Sequence, residues 1–114
     1  MKQRSIRLLL QDMLDSIAIA MAHLGQLAPE QLLQDVKTQD AVIRRVEIIG
    51  EAASHLDAQW RALHPEVDWQ QVIGMRNRLV HAYAEVDLLI VWGTARNDLP
   101  VLERQLREIL QHEP

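Results

Sequence analysis

The stretch "LLIVWGTARNDLPVLERQLREI", residues 88–109, places apolar side chains at Leu88, Trp92, Ala95, Leu99, Leu102, Leu106 and Ile109. Steps of three and four residues put all seven on one face of a helix, and alternating steps of that kind mark helices that pack side by side. The same repeat occurs twice upstream. It runs through Ile6, Leu10, Met13, Ile17, Ala20 and Leu24, and again through Val42, Val46, Ile49, Ala53 and Leu56. Three long helices crossing at small angles therefore form the expected frame, an all-α bundle with no strand pattern competing.

Punctuation between the repeats divides the chain further. Gly25 and Pro29 close the first helix, Pro29 opens a short turn of helix through Leu33, and Thr38 or Asp40 is placed to cap the second long helix after a loop of about a dozen residues. Asp57 can cap a short helix through Leu63, which His64–Pro65 ends because the residue before proline is driven out of the helical region. Asp68 with Gln71 reads as a capping box for a helix from Trp69 to about Leu79, Asp87 can cap the last long helix, and Pro100, lacking an N–H, predicts a kink within it. The sum is a bundle of four to five helices.

With 114 residues, 48% hydrophobic and 25% charged, the chain has the balance of one ordinary globular domain, 1–114, with no linker or repeat. No apolar run approaches the roughly 20 residues that span a bilayer, and the start "MKQRSIRLLLQDML" is amphipathic without a signal-peptide core. A cytoplasmic protein with no membrane partner is expected. Cysteine is absent, so thiol catalysis and Cys-type zinc sites are excluded.

The net charge of −4 argues against nucleic-acid binding by bulk attraction. Yet from Trp69 to Tyr83 there is no Asp or Glu, although the chain has 16, and the window holds Arg76, Arg78 and His81. A local anion site fits that distribution. On a regular helix Arg76 and His81, five positions apart, would point about 140° away from each other, so they meet only if the helix ends or deforms, or if a second chain supplies one of them. Phosphoryl transfer within RNA suits these residue types. A histidine can take the proton of a ribose 2′-hydroxyl, and the arginine forks can hold phosphate oxygens as charge develops. General acid and general base together need two groups, and a two-fold dimer would present His81 twice.

The residues then match a known pattern. Arg76, His81 and Tyr83 form an R-x-x-x-x-H-x-Y motif inside "GMRNRLVHAY" at Gly74–Tyr83, with "EIIGEAA" at Glu47–Ala53 and "VDLLIVWGTARNDLPVL" at Val86–Leu102. On these stretches the chain resembles the HepT toxin ribonucleases of the HEPN superfamily, which pair with MntA-type nucleotidyltransferase antitoxins. The resemblance implies a homodimeric HEPN bundle with a composite cleft, and the toxin role in a type VII-like toxin–antitoxin pair. It also implies metal-independent cleavage of cellular RNA, tRNA among the candidate targets, by Arg76 and His81 without a cofactor. Asn77 occupies the supporting polar position after the arginine, and Tyr83 becomes the residue silenced by AMP transfer from the MntA-type partner.

Other features admit plainer readings. Glu47, Glu51 and His55 form a ladder on one helix face, but the metal-binding pattern of helical bundles needs a second such pair that the chain lacks. Glu47 or Glu51 could instead hold Arg76 or Arg78, or the face could simply be solvated. His23, His64 and His112 read as surface or loop residues. Trp60, Trp69 and Trp92 read as packing residues, with Trp69 alone close enough to the basic window to stack on a base. The rival to an enzyme is a noncatalytic helical dimer whose basic window docks the nucleotidyltransferase, although docking requires charge and no histidine.

Overall fold

The computed structural model describes residues 4–81 and 85–113. Three long helical stretches dominate them, as the apolar repeats require. Helix α1 (Ile6–Leu24) starts at Ser5, whose hydroxyl accepts from the Leu8 N–H, and stops at Gly25, which adopts φ of 53°, a left-handed value that costs glycine little. Helix α2 (Pro29–Leu32) is the short turn opened by Pro29. Helix α3 (Val36–Ser54) lies most extensively against α1.

The start of α3 corrects the expected cap. Neither Thr38 nor Asp40 serves: Asp35 does, one carboxylate oxygen accepting from the Thr38 N–H at 3.0 Å and the other from the Thr38 hydroxyl at 2.8 Å. These hydrogen bonds, the backbone one foremost, hold the Asp35 carboxyl below its ordinary range. The physical reason is that Val36 and Lys37 add a turn of helix ahead of the first buried residue, Val42, and so hide the boundary from the apolar pattern.

Helix α4 (Ala58–Ala62) is capped by Asp57, and α5 (Trp69–Ile73) by Asp68, which accepts from the Gln71 N–H. The helix expected from Trp69 to about Leu79 breaks at Gly74, where ψ falls to 0°, and resumes as α6 (Met75–Leu79). A two-residue strand, β1 (Val80–His81), follows at once and pairs antiparallel with β2 (Glu85–Val86), Val80 opposite Val86 and His81 opposite Glu85. The sequence contained no sign of it. Two residues are too few to show the alternation by which strands are recognised.

Asp87 then caps α7 (Leu88–Gly93), which passes through a π turn, Thr94–Asp98, into α8 (Leu99–His112). Pro100, expected inside a continuous helix, falls in the first turn of α8, where its missing N–H costs little, and the turn before it is the π turn in which the Leu99 N–H reaches back five residues to the Thr94 carbonyl. Every residue of the first two apolar repeats except the half-buried Ile6 is buried, and in the third Ala95, Leu99, Leu102, Leu106 and Ile109 are buried while Leu88 and Trp92 pack at the margin. No described helix is long and apolar enough to cross a membrane.

Candidate functional site

Helix α6 is five residues long and is oriented by its ends. Met75 and Leu79, four apart, are both buried in the core, which forces Arg76, Asn77 and Arg78 between them to face outward. The helix stops at Leu79, and Val80–His81 is already extended, held by the β2 pairing and by the Asp87 N–H donating to the Leu79 carbonyl at 3.2 Å. His81 therefore leaves the helical register that would have turned it away from Arg76. Of His81 only the backbone is described, and Tyr83 lies outside the described residues.

Arg76 looks onto α3. Its Nε lies 3.9 Å from Glu47 Oε2, and Arg44 Nη1 approaches the same oxygen at 3.9 Å, so one carboxylate stands between two guanidinium groups. Arg78 is exposed with no ion pair among the described residues. Arg76, Arg44 and Glu47 line a cleft of about 470 Å³ between α1 and α3, floored by Leu9, Ile48 and Ala52, with Glu51 and His55 further along α3 and Arg4, whose Nε pairs with Asp12 at 3.0 Å, on the α1 side. A space of that size is in the range that holds a nucleotide-sized ligand.

A glycine brings these walls together. A Cβ at Gly50 would stand 3.2 Å from the Ile73 carbonyl oxygen and 3.3 Å from that of Val72, so α3 and the end of α5 approach backbone to backbone one turn beyond Glu47. That close approach carries α6, and with it Arg76, up to Glu47.

The carboxylate ladder on α3 separates into different partnerships. Glu47 turns to the arginines, whereas Glu51 Oε1 lies 3.0 Å from His55 Nε2. No three His, Asp or Glu side chains among the described residues converge as metal ligands would. Trp69 is not available to a base: it is buried, and its indole N–H donates to the His64 carbonyl at 3.0 Å. His64 lies in the loop between α4 and α5, as expected. It is half-buried against Trp60, ring centroids 4.3 Å apart, a contact whose i to i+4 spacing was visible in the sequence. His23 and His112 are exposed. The residues that sequence reading missed are Arg44 and Arg4. Arg44 had a signal in its three-residue spacing from Glu47, but Arg4 reaches the cleft only through the packing of α1 on α3.

Chemically, the open cleft offers three guanidinium groups, those of Arg4, Arg44 and Arg76, interleaved with the carboxylates of Asp12, Glu47 and Glu51. Arginine stays charged at all physiological pH values and presents a planar fork to phosphate oxygens, so the guanidinium groups of the cleft, Arg76 and Arg44 among them, are the groups that can take an anion there.

Comparison with known proteins points the same way. The family model described as "Ribonuclease HepT-like" matches residues 13–109. The chain is 36% identical over 107 residues to "Probable ribonuclease HepT" of Thermococcus cleftensis, covering 94% of this chain and 97% of that protein. It is 40% identical over 84 residues to a "Putative RNase" of Caldanaerobacter subterraneus subsp. tengcongensis, 74% of this chain and 75% of the other. A "Putative RNase" of Methanocaldococcus jannaschii is 30% identical over 111 residues, 97% of this chain and 92% of its own length. No solved structure gives a significant match.

Proposed function

The chain belongs to the HepT-like ribonuclease family, and on that premise we propose that it is a metal-independent endoribonuclease whose site is built from Arg76 and His81. His81 takes the proton of a ribose 2′-hydroxyl, and the 2′-oxygen forms a bond to the adjacent phosphorus as the bond to the 5′-oxygen breaks. The products are a 2′,3′-cyclic phosphate and a free 5′-hydroxyl, which receives its proton from the second His81 of a two-fold dimer. Arg76 donates to the non-bridging oxygens where negative charge grows, Asn77 supports it, and Arg78 contacts a neighbouring phosphate.

One observation carries this reading. The termination of α6 at Leu79 and the extended backbone at Val80–His81 release His81 from the regular helical spacing that would have kept it apart from Arg76. The motif resemblance supports the finer reading, in which the chain is the toxin of a toxin–antitoxin pair and an MntA-type nucleotidyltransferase silences it by transferring AMP to Tyr83.

The test is cleavage of labelled cellular RNA by the purified protein in the presence of a chelator. His81→Ala is expected to lose roughly 10²–10⁴-fold in rate and Arg76→Ala roughly 10²–10³-fold, with helix content unchanged. Undiminished cleavage by His81→Ala, or a strict requirement for a divalent ion, contradicts the mechanism.

A further inference from the structure

Among the described residues Glu47 is the one carboxylate that pairs with Arg76, and it does so from a different helix, through a contact whose geometry is informative. The pair is long, 3.9 Å, and both side chains keep substantial solvent access, 53% for Arg76 and 35% for Glu47. An ion pair of that kind adds little to folding stability. Its effect is on direction. Glu47 approaches Nε, the inner nitrogen of the guanidinium, at a separation too long for a hydrogen bond, so the attraction acts at the root of the fork. The same carboxylate oxygen faces Arg44 Nη1 at 3.9 Å, which sets a second cation beside the first at the cleft mouth. Glu51, one turn further along α3, is paired with its own helix neighbour His55 and does not share this duty.

We infer that Glu47 is a positioning residue for RNA cleavage, standing between Arg76 and Arg44 and aiming the Arg76 guanidinium at the phosphate to be cut, with Arg44 held alongside as a contact for a flanking phosphate. This role rests on Arg76 being the phosphate clamp of the proposed ribonuclease. It makes a prediction opposite to that of simple charge. Removing a carboxylate from a cleft that binds a polyanion should, by electrostatics alone, tighten binding and leave turnover intact. Loss of a positioning group lowers turnover, because a guanidinium displaced by about 1 Å stabilises the transition state much less well.

The experiment measures kcat and KM separately on a short oligoribonucleotide, together with the arginine Nε–Hε NMR signals of the full chain. The Arg76 signal is identified by its disappearance in Arg76→Lys. Glu47→Gln, of the same shape without the charge, is expected to lower kcat about tenfold or more while KM stays level or falls. Glu47→Asp, which keeps the charge on a shorter arm, should recover part of the loss. The Arg76 signal should move in Glu47→Gln and stay in place in Glu108→Gln, an exposed carboxylate of α8 paired with His112 and outside the cleft, whose kcat is unchanged. Arg44→Ala should raise KM and flatten its salt dependence by about one phosphate contact.

An unmoved Arg76 signal in Glu47→Gln overturns the inference, as does a shifted signal with kcat intact. Absence of cleavage by the unaltered protein is a different failure. It removes the ribonuclease reading and the positioning role together, whereas an active protein indifferent to Glu47→Gln leaves the ribonuclease reading standing and sinks the role of Glu47 alone.

Discussion

Tyr83 is the single tyrosine of the chain, two positions after His81, which makes the proposed control by AMP transfer directly testable. On the proposed reading, AMP on that hydroxyl would add bulk and negative charge to a motif that must take substrate phosphate, so blockade would be both steric and electrostatic. Incubation with an MntA-type nucleotidyltransferase, ATP and Mg²⁺ is expected to add one or more AMP units to the peptide carrying Tyr83. Tyr83→Phe should remain unmodified. Mass mapping checks this, and AMP found only on serine or threonine would remove the tyrosine from the scheme. At the same scale the burial of Met75 and Leu79 explains why three consecutive polar residues of α6 all face outward, a pattern that a helix anchored at only one end would not enforce.

Helix α3 unites stability with the site. Asp35 caps it, Val42, Val46, Ile49 and Ala53 bury its inner face, Glu47 reaches Arg76, and Gly50 admits the α5 backbone. The last point distinguishes two glycines. At Gly50 an added methyl meets carbonyl oxygens of α5 at 3.2 and 3.3 Å, and backbone yields poorly. Overpacking of that sort costs about 1–3 kcal/mol, against a gain in helix propensity of about 1 kcal/mol. Gly50→Ala should therefore lower the melting temperature, and because it pushes α6 away from Glu47 it should also reduce RNA cleavage. Gly93 sits in helical backbone with nothing within 4 Å of the point where a methyl would stand, so Gly93→Ala should be stabilising by up to about 1 kcal/mol. Thermal unfolding of the two variants side by side decides the matter, and a rise in melting temperature for Gly50→Ala would show that α5 can move aside.

For the whole molecule the decisive quantity is copy number. Each chain brings one histidine to the motif, and cleavage with both a base and an acid calls for two, which an isologous dimer provides. Sedimentation at micromolar concentration is expected to give twice the chain mass of 13.1 kDa. A strict monomer that still cleaves RNA would require the second proton carrier to come from elsewhere. Within one chain, long-range ties close the fold. Trp92 and Arg96 of the C-terminal helices donate to the Leu27 carbonyl at 2.8 and 3.2 Å, Arg96 also reaches the Gly25 carbonyl at 2.8 Å, and Trp60 donates to Glu113 across the molecule.

The sequence by itself determined the helical class, the three buried stripes, the caps at Asp57, Asp68 and Asp87, and the basic window with its R-x-x-x-x-H-x-Y motif. All of these rest on interactions reaching no further than about four residues, the distance over which helical geometry relates side chains without help from the rest of the fold. Angular spacing also showed that Arg76 and His81 could not share a face of a regular helix, leaving a helix end, a deformation or a second chain as the ways to bring them together. Tertiary structure decided what spacing leaves degenerate. Glu47 and Glu51 lie one turn apart on the same face, and only the rotation of α3, set by its packing on α1 and by the Gly50 contact with α5, turns the first toward Arg76 and leaves the second with His55. Trp69 sits in the basic window along the chain but in the core in space, for the same reason: the direction a side chain faces belongs to the packed helices and not to the segment that carries it.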